Sequence, residues 1–181
     1  MDDRALNATA ASLLGFLHGG PMSGWDLAVT AETVIGDFWS VTRSQVYREL
    51  AWMAEAGLIE AGEPGARDRR PYGITDRGRE VFREWVAREP GPETIRFPLL
   101  LTMSFGRHLD PARMAGFVER HRAVHAERLA RYEESAAAMD AGTADAYARS
   151  TLQFGIEYER AVLSWFDSLP SEIRGEGHTR A

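Results

Sequence analysis

The stretch TRSQVYRELAWMAEAGLIE, residues 42–60, constrains the fold of this 181-residue chain more than any other part of it. Thr42 with Gln45 three positions on is a capping-box pattern, so a helix is expected to begin at Arg43. On a 3.6-residue wheel Val46, Leu50 and Met53 share one stripe, widened by Tyr47 and Ala54. Ser44, Arg48, Trp52 and Glu55 fall on the opposite side, with Gln45 at the flank. Gly57 is the stop, and Leu58, Ile59 and Glu60 read as a strand. The polar run GEPGARDRRP, residues 62–71, is a turn carrying Arg67, Arg69 and Arg70, after which Tyr72, Gly73 and Ile74 return as the paired strand.

Upstream, Asn7 or Thr9 can cap a first helix whose Leu13, Leu14, Phe16 and Leu17 face inward, and Gly19, Gly20 and Pro21 stop it. Ser23 opens a second capping box with Asp26, and Trp25, Leu27, Val29 and Ile35 are expected to form the buried side of the second helix. Gly36 ends that helix, and Phe38 and Trp39 make a bulky hinge before the third. Thr75 caps a fourth helix through Val81, Phe82, Trp85 and Val86. Helices followed by a strand pair with an Arg-rich tip are the outline of a winged helix-turn-helix that reads DNA. Residues 1–88 are therefore expected to form a DNA-binding domain.

Residues 89–98 read as a linker, because Pro and Gly interrupt the helical period there. Beyond it the chain is almost wholly helical. Leu99 to Phe105 gives a short apolar helix. Asp110 and Pro111, an N-cap with a first-turn proline, open a long one to about Asp140, with Met114, Val118, His125, Leu129, Tyr132, Ala136 and Met139 as its stripe. Gly142 and Thr143 turn the chain into a last helix ending near Leu169. Tyr147, Thr151, Phe154, Tyr158, Ala161 and Trp165 keep the 3.5-residue spacing of a coiled-coil seam, and Leu152, Ile156, Leu163 and Phe166 make a second stripe. A helix apolar on two sides needs two neighbours, its hairpin partner and another subunit. The fold class is thus mainly α: an N-terminal winged helix-turn-helix with a two-stranded wing, and a C-terminal coiled-coil-like helical hairpin, residues 99–170, for dimerisation. Residues 171–181, poor in apolar side chains, are expected to be a loose tail.

Composition excludes little but is informative at the margins. The net charge of −6 rules out a wholly basic coat for nucleic acid, though local charge decides what a reading surface binds. With no Cys there is no disulfide, thiolate metal site or Cys nucleophile, and a cytoplasmic protein is the default expectation. No apolar run reaches the ~18 residues of a membrane span. There is no Gly-rich phosphate loop, no nucleophile elbow and no identifiable acid/base pair, so an enzyme is not expected, nor a cofactor.

LLGFLHGGPMSGWDL (13–27), FWSVTRSQVYREL (38–50), EAGLIE (55–60) and RRPYGITDRGRE (69–80) together resemble the PadR family of bacterial transcriptional regulators. Phe38 and Trp39 ahead of a Ser/Thr helix start separate this pattern from generic winged helices. The sequence departs from the commonest pattern at Val41, Arg43 and Arg48, where many members carry Pro, and Trp25 stands where Tyr is more usual. The resemblance implies a homodimer joined by its C-terminal helices, which represses transcription from a palindromic operator. It also implies release of DNA when a small, often aromatic, molecule binds between the domains.

The DNA-contact candidates are Thr42, Arg43, Ser44, Gln45, Tyr47 and Arg48 on the third helix, with Arg67, Arg69 and Arg70 on the wing. A guanidinium can fork onto guanine and a Gln amide onto adenine in the major groove, while wing arginines suit phosphates. Thr42 and Gln45 are partly committed to capping, Tyr47 suits a phosphate, and Arg48 points most directly at bases. Aromatic residues at helical spacing are ordinarily core or dimer packing; the resemblance makes Trp39, Phe97, Phe105, Phe154, Tyr158 and Trp165 candidates for an effector pocket. Tyr147, Phe154, Tyr158 and Trp165 are candidates for the dimer seam. His121 and His125, four apart, could face one metal, but HRAVH lacks the Glu of a zinc-protease helix, and interface histidines without a metal are expected. The rival reading is a helical protein-interaction module on a winged fold that no longer binds DNA.

Overall fold

Helix starts are set one by one by side chains that accept the hydrogen bonds a first turn leaves open. Asn7 caps α1 (Ala8–Leu17) through Ala10 N, and Ser23 caps α2 (Gly24–Val34) through Asp26 N in a full capping box. Thr42 and Gln45 form a second box at the start of α3 (Arg43–Glu55), and Thr75 caps α4 (Asp76–Val86). The computed structural model describes residues 4–63, 70–139 and 145–175, and the chain divides into two units, residues 1–92 and 93–181.

In the first unit, Leu13, Leu14 and Leu17 of α1, Leu27 and Ala28 of α2, and Val46, Leu50 and Met53 of α3 share one buried cluster with Leu58 and Ile59. The stripe read from the sequence holds for α1 and for the centre of α3. It differs on α2, where Ala28 and Ala31 are buried, Val29 and Ile35 are half-buried, and Trp25 is exposed. The small alanines take the contact with the neighbouring helices and leave the large indole outside. On α3, Tyr47 and Ala54 are exposed, so they do not widen the stripe. Glu49 is buried instead, and Trp52, assigned to the open side, packs half-buried against the core.

α3 stops at Gly57, whose φ of +68° is left-handed, while Leu58 N donates back to Met53 O at 2.9 Å. That pair of features closes the helix and aims the chain into β2 (Ile59–Ala61). β2 pairs antiparallel with β3 (Pro71–Ile74), placing Ile59 opposite Ile74 and Ala61 opposite Tyr72. A third strand, β1 (Met22–Ser23), joins the far edge of β3, with Met22 opposite Tyr72. The sequence reading does not contain β1: two residues are too short to show an alternation. Thr75 Oγ1 donates to Gly57 O at 2.8 Å and accepts from Gly78 N, so one hydroxyl ties the end of α3 to the start of α4.

The second unit comprises α5 (Pro98–Ser104), a 3-10 turn over Gly106–His108, α6 (Pro111–Ala138), α7 (Ala146–Asp167) and α8 (Ser171–Arg174). Asp110 caps α6 through Arg113 N, with Pro111 in the first turn. α6 and α7 pack against each other around Met114, Val118 and His125 from one helix and Ile156, Glu159 and Phe166 from the other. Leu99 and Leu169 complete a second core cluster. Outside it, Arg160 bridges Glu133 at 2.7 Å and Glu157 at 3.2 Å; the hydrogen bond it donates to Glu133, against a smaller desolvation cost, holds the guanidinium proton more firmly than usual. Residues 171–174 are not a loose tail: they form α8, because Ile173 packs on the second core and Arg174 Nε donates to Leu169 O at 2.9 Å. Residues 176–181 lie outside the described residues. No helix among the described residues is long and apolar enough to cross a membrane.

Candidate nucleic-acid interface

The capping box that starts α3 also arranges its polar end. Thr42 N donates to Gln45 Oε1 at 2.8 Å, Gln45 N donates to Thr42 Oγ1 at 3.2 Å, and Thr42 Oγ1 lies 3.0 Å from Ser44 Oγ. The Gln45 carbonyl oxygen is therefore engaged within the helix start. Thr42, Arg43, Ser44, Tyr47 and Arg48 are all exposed, and Gln45 is half-buried. Arg43, nearer the buried stripe on the wheel, is thus as open to solvent as its neighbours. A helix N-terminus rimmed by two guanidinium groups and three hydroxyls can enter a major groove and meet both base edges and phosphates.

Tyr47 is fixed by a neighbour the wheel does not contain. Its ring lies across the first turn of α2 at Gly24, where a Cβ would stand 2.6 Å from Tyr47 Cε1. Only a glycine admits the ring there, so α2 presses on one face of Tyr47 while the residue remains half open to solvent.

Arg48 reaches its adjacent residue: Arg48 Nη2 is 3.4 Å from Glu49 Oε1, with the Arg48 side chain 64% exposed and that of Glu49 1%. The other carboxylate oxygen, Glu49 Oε2, accepts from Arg4 Nη2 at 2.5 Å and from Asn7 Nδ2 at 3.3 Å. The Arg4 guanidinium also stands 4.5 Å over the Trp52 ring. Sequence reading missed Glu49 and Arg4, and gave Asn7 only as a helix cap; the available signal was a Glu beside the apolar stripe of Val46, Leu50 and Met53.

Arg70 is exposed just before β3. Arg67 and Arg69 fall outside the described residues. The strand pair that would carry them is in place beside the end of α3, since Gly62 N donates to Pro71 O at 2.8 Å beyond the last ladder pair.

The five aromatic effector candidates of the second unit, Phe97, Phe105, Phe154, Tyr158 and Trp165, do not line one pocket within it. In the second unit Phe97 stacks on His125 with centroids 5.8 Å apart and meets Trp165 edge-on at 6.0 Å. Phe154 and Tyr158 stack on each other, 6.3 Å apart, on the outer face of α7, and Phe105 is exposed. Trp39 is an exposed residue of the first unit. A cleft of about 650 Å³ in the second unit is lined by Ala115, Val118, Arg122, Phe166 and Arg174 among others, and by none of those five aromatics. Of the dimer candidates, Tyr147, Phe154 and Tyr158 are exposed, whereas Trp165 is half-buried against the chain's own core. The two histidines separate as well. His125 is buried, its Nδ1–H donating to Glu159 Oε2, and Glu159 Oε1 accepts from Arg128 at 3.0 Å; His121 is exposed. Among the described residues no group of three or more His, Asp or Glu is placed to hold a metal ion.

Comparison with known proteins agrees with this architecture. Residues 13–84 match the model of the transcriptional regulator PadR-like family, and residues 95–174 match that of the virulence activator alpha C-terminal region. The negative transcriptional regulator PadR of Bacillus subtilis is 27% identical over 173 residues, covering 90% of this chain and 95% of that protein. The crystal structure of Bacillus subtilis PadR with operator DNA superposes at a TM-score of 0.77, with 24% identity and 94% and 99% of the two chains covered. The complex of the same regulator with p-coumaric acid gives 0.68, with 24% identity over 93% and 98%. These relatives are regulators and not enzymes. Residues 13–84 are thus a PadR-like domain, and the likeness to PadR regulators runs over nearly the whole chain.

Proposed function

We propose that this chain is a homodimeric repressor which binds a palindromic operator and lets go of it when a small aromatic molecule binds. One observation carries the DNA reading: the box-capped start of α3 presents Arg43, Ser44, Tyr47 and Arg48 to solvent on a frame fixed by α2 and by Glu49. Arg48 and Ser44 read bases, Tyr47 and Arg43 hold the backbone, and Thr42 with Gln45 keep the helix start in shape. The wing arginines Arg67, Arg69 and Arg70 add phosphate contacts. The dimer forms on the outer face of α7, where Tyr147, Phe154 and Tyr158 lie open on a single chain, and a two-fold protein matches a two-fold site. The effector proposal rests on the relative bound to p-coumaric acid. A regulator of this kind works in the cytoplasm, where its DNA is.

The test is a fluorescence-anisotropy titration with DNA from upstream of the chain's own gene. Saturable binding, competed poorly by scrambled DNA and reversed by p-coumaric acid or another phenolic compound, is the expected result. No binding to either DNA would favour the protein-interaction module instead. Binding that no phenolic compound reverses, with unchanged tryptophan fluorescence, would remove the effector from the proposal.

A further inference from the structure

The buried carboxylate of Glu49 has a role that neither packing nor capping explains. A carboxylate inside a helical core must be paired to be tolerated, and Glu49 is paired twice. Oε2 takes Arg4 at 2.5 Å and Asn7 at 3.3 Å; Oε1 faces Arg48 at 3.4 Å. Adjacent helix residues do not face one another, so Arg48 must bend back along the helix to reach Glu49. One negative charge is thus shared between a guanidinium at the N-terminal end of the chain and one on the DNA-reading face. Asn7 ties the start of α1 to the same carboxylate: its Oδ1 caps α1 through Ala10 N while its Nδ2 meets Glu49.

We propose that Glu49 is the positioning residue for Arg48, and that Arg4 sets how strongly it acts by neutralising most of its charge. This rests on the reading of Arg48 as a DNA contact. With Arg4 in place, Glu49 holds the Arg48 guanidinium loosely, in one orientation and available to DNA. Without Arg4 the whole buried charge falls on Arg48, which is drawn into an ion pair and away from the groove. With Glu49 neutral, Arg48 is unrestrained whatever residue stands at position 4. Arg4 and Arg48 are therefore coupled through a group that never touches DNA.

A mutant cycle on the full-length protein separates this from a general loss of positive charge. Anisotropy is read with operator and scrambled DNA, and thermal midpoints are recorded for each variant. Arg4→Met is expected to weaken operator binding roughly threefold to thirtyfold, inside the range of coupling between contacting groups. Arg4→Lys, which keeps the charge, should recover most of that loss, and so should Arg4→Met combined with Glu49→Gln. In an Arg48→Ala background most of the Arg4→Met effect should disappear. Should Arg4→Met fold poorly, Glu49→Gln alone decides: operator-over-scrambled preference falls while affinity for scrambled DNA rises. An Arg4→Met loss that persists at full size in Arg48→Ala, or a Glu49→Gln protein with unchanged preference, overturns the positioning role. If Arg48→Ala itself leaves operator binding intact, the DNA-contact reading fails, and this inference falls with it.

Discussion

Single residues decide how close α2 can come to α3. Gly24 opens α2 and receives the Tyr47 ring, and an added methyl would also lie 3.1 Å from Leu50 Cδ1. Gly24→Ala is accordingly expected to cost about 1–3 kcal/mol, the usual penalty for overfilling a packed site. Urea unfolding measures it, and Gly24→Ala combined with Tyr47→Ala should recover part of the stability. Ordinary stability in Gly24→Ala would mean that the ring swings away freely. Such a close approach is hidden in the sequence, because the pair is far apart along the chain and glycine carries no chemical signal of its own. The same holds for Glu49, whose partner Arg4 lies 45 positions earlier. Thr42, Ser23 and Thr75 were legible as caps because the group each one satisfies is three residues away.

At the level of elements, local patterns carried the reading a long way. Helix starts, the Gly57 stop and the β2–β3 pair follow from neighbours within a turn or a ladder, and the structure has them. The elements that escaped are those defined only by distant partners: β1, which exists because β3 has a free edge, and α8, held by Ile173 on the second core. Tyr47 and Ala54 were misplaced because a wheel assigns a stripe by angle alone and cannot see which arc meets another helix. The wing offers the clearest test at this scale. Replacing Arg67, Arg69 and Arg70 together by Ala should weaken binding to operator and scrambled DNA alike. It should also lower the slope of log affinity against log salt by up to about 2.7, at about 0.9 for each phosphate no longer neutralised. An unchanged slope would place the wing off the DNA.

The whole molecule consists of two units with separate cores, one around Leu13, Leu50 and Met53 and one around Phe166 and Leu99. The inner stripe of α7 is filled by its hairpin partner, whereas Tyr147 at 83% and Phe154 at 68% exposure stay in water. Apolar surface of this kind is stabilised by burial, so pairing of two chains on this face should raise the thermal midpoint with protein concentration. Phe154→Asp is expected to give a monomer in sedimentation velocity, with a midpoint independent of concentration and weakened operator binding. A variant that still sediments as a dimer would move the seam off this face. The open face of α7 also bears on expression. If only paired chains grip a two-fold site, occupancy at low abundance follows the square of the number of chains and not the number itself. A regulator made from a gene beside its own operator would then shut off its synthesis over a narrow range of copy number, with the threshold set by the outer surface of one helix.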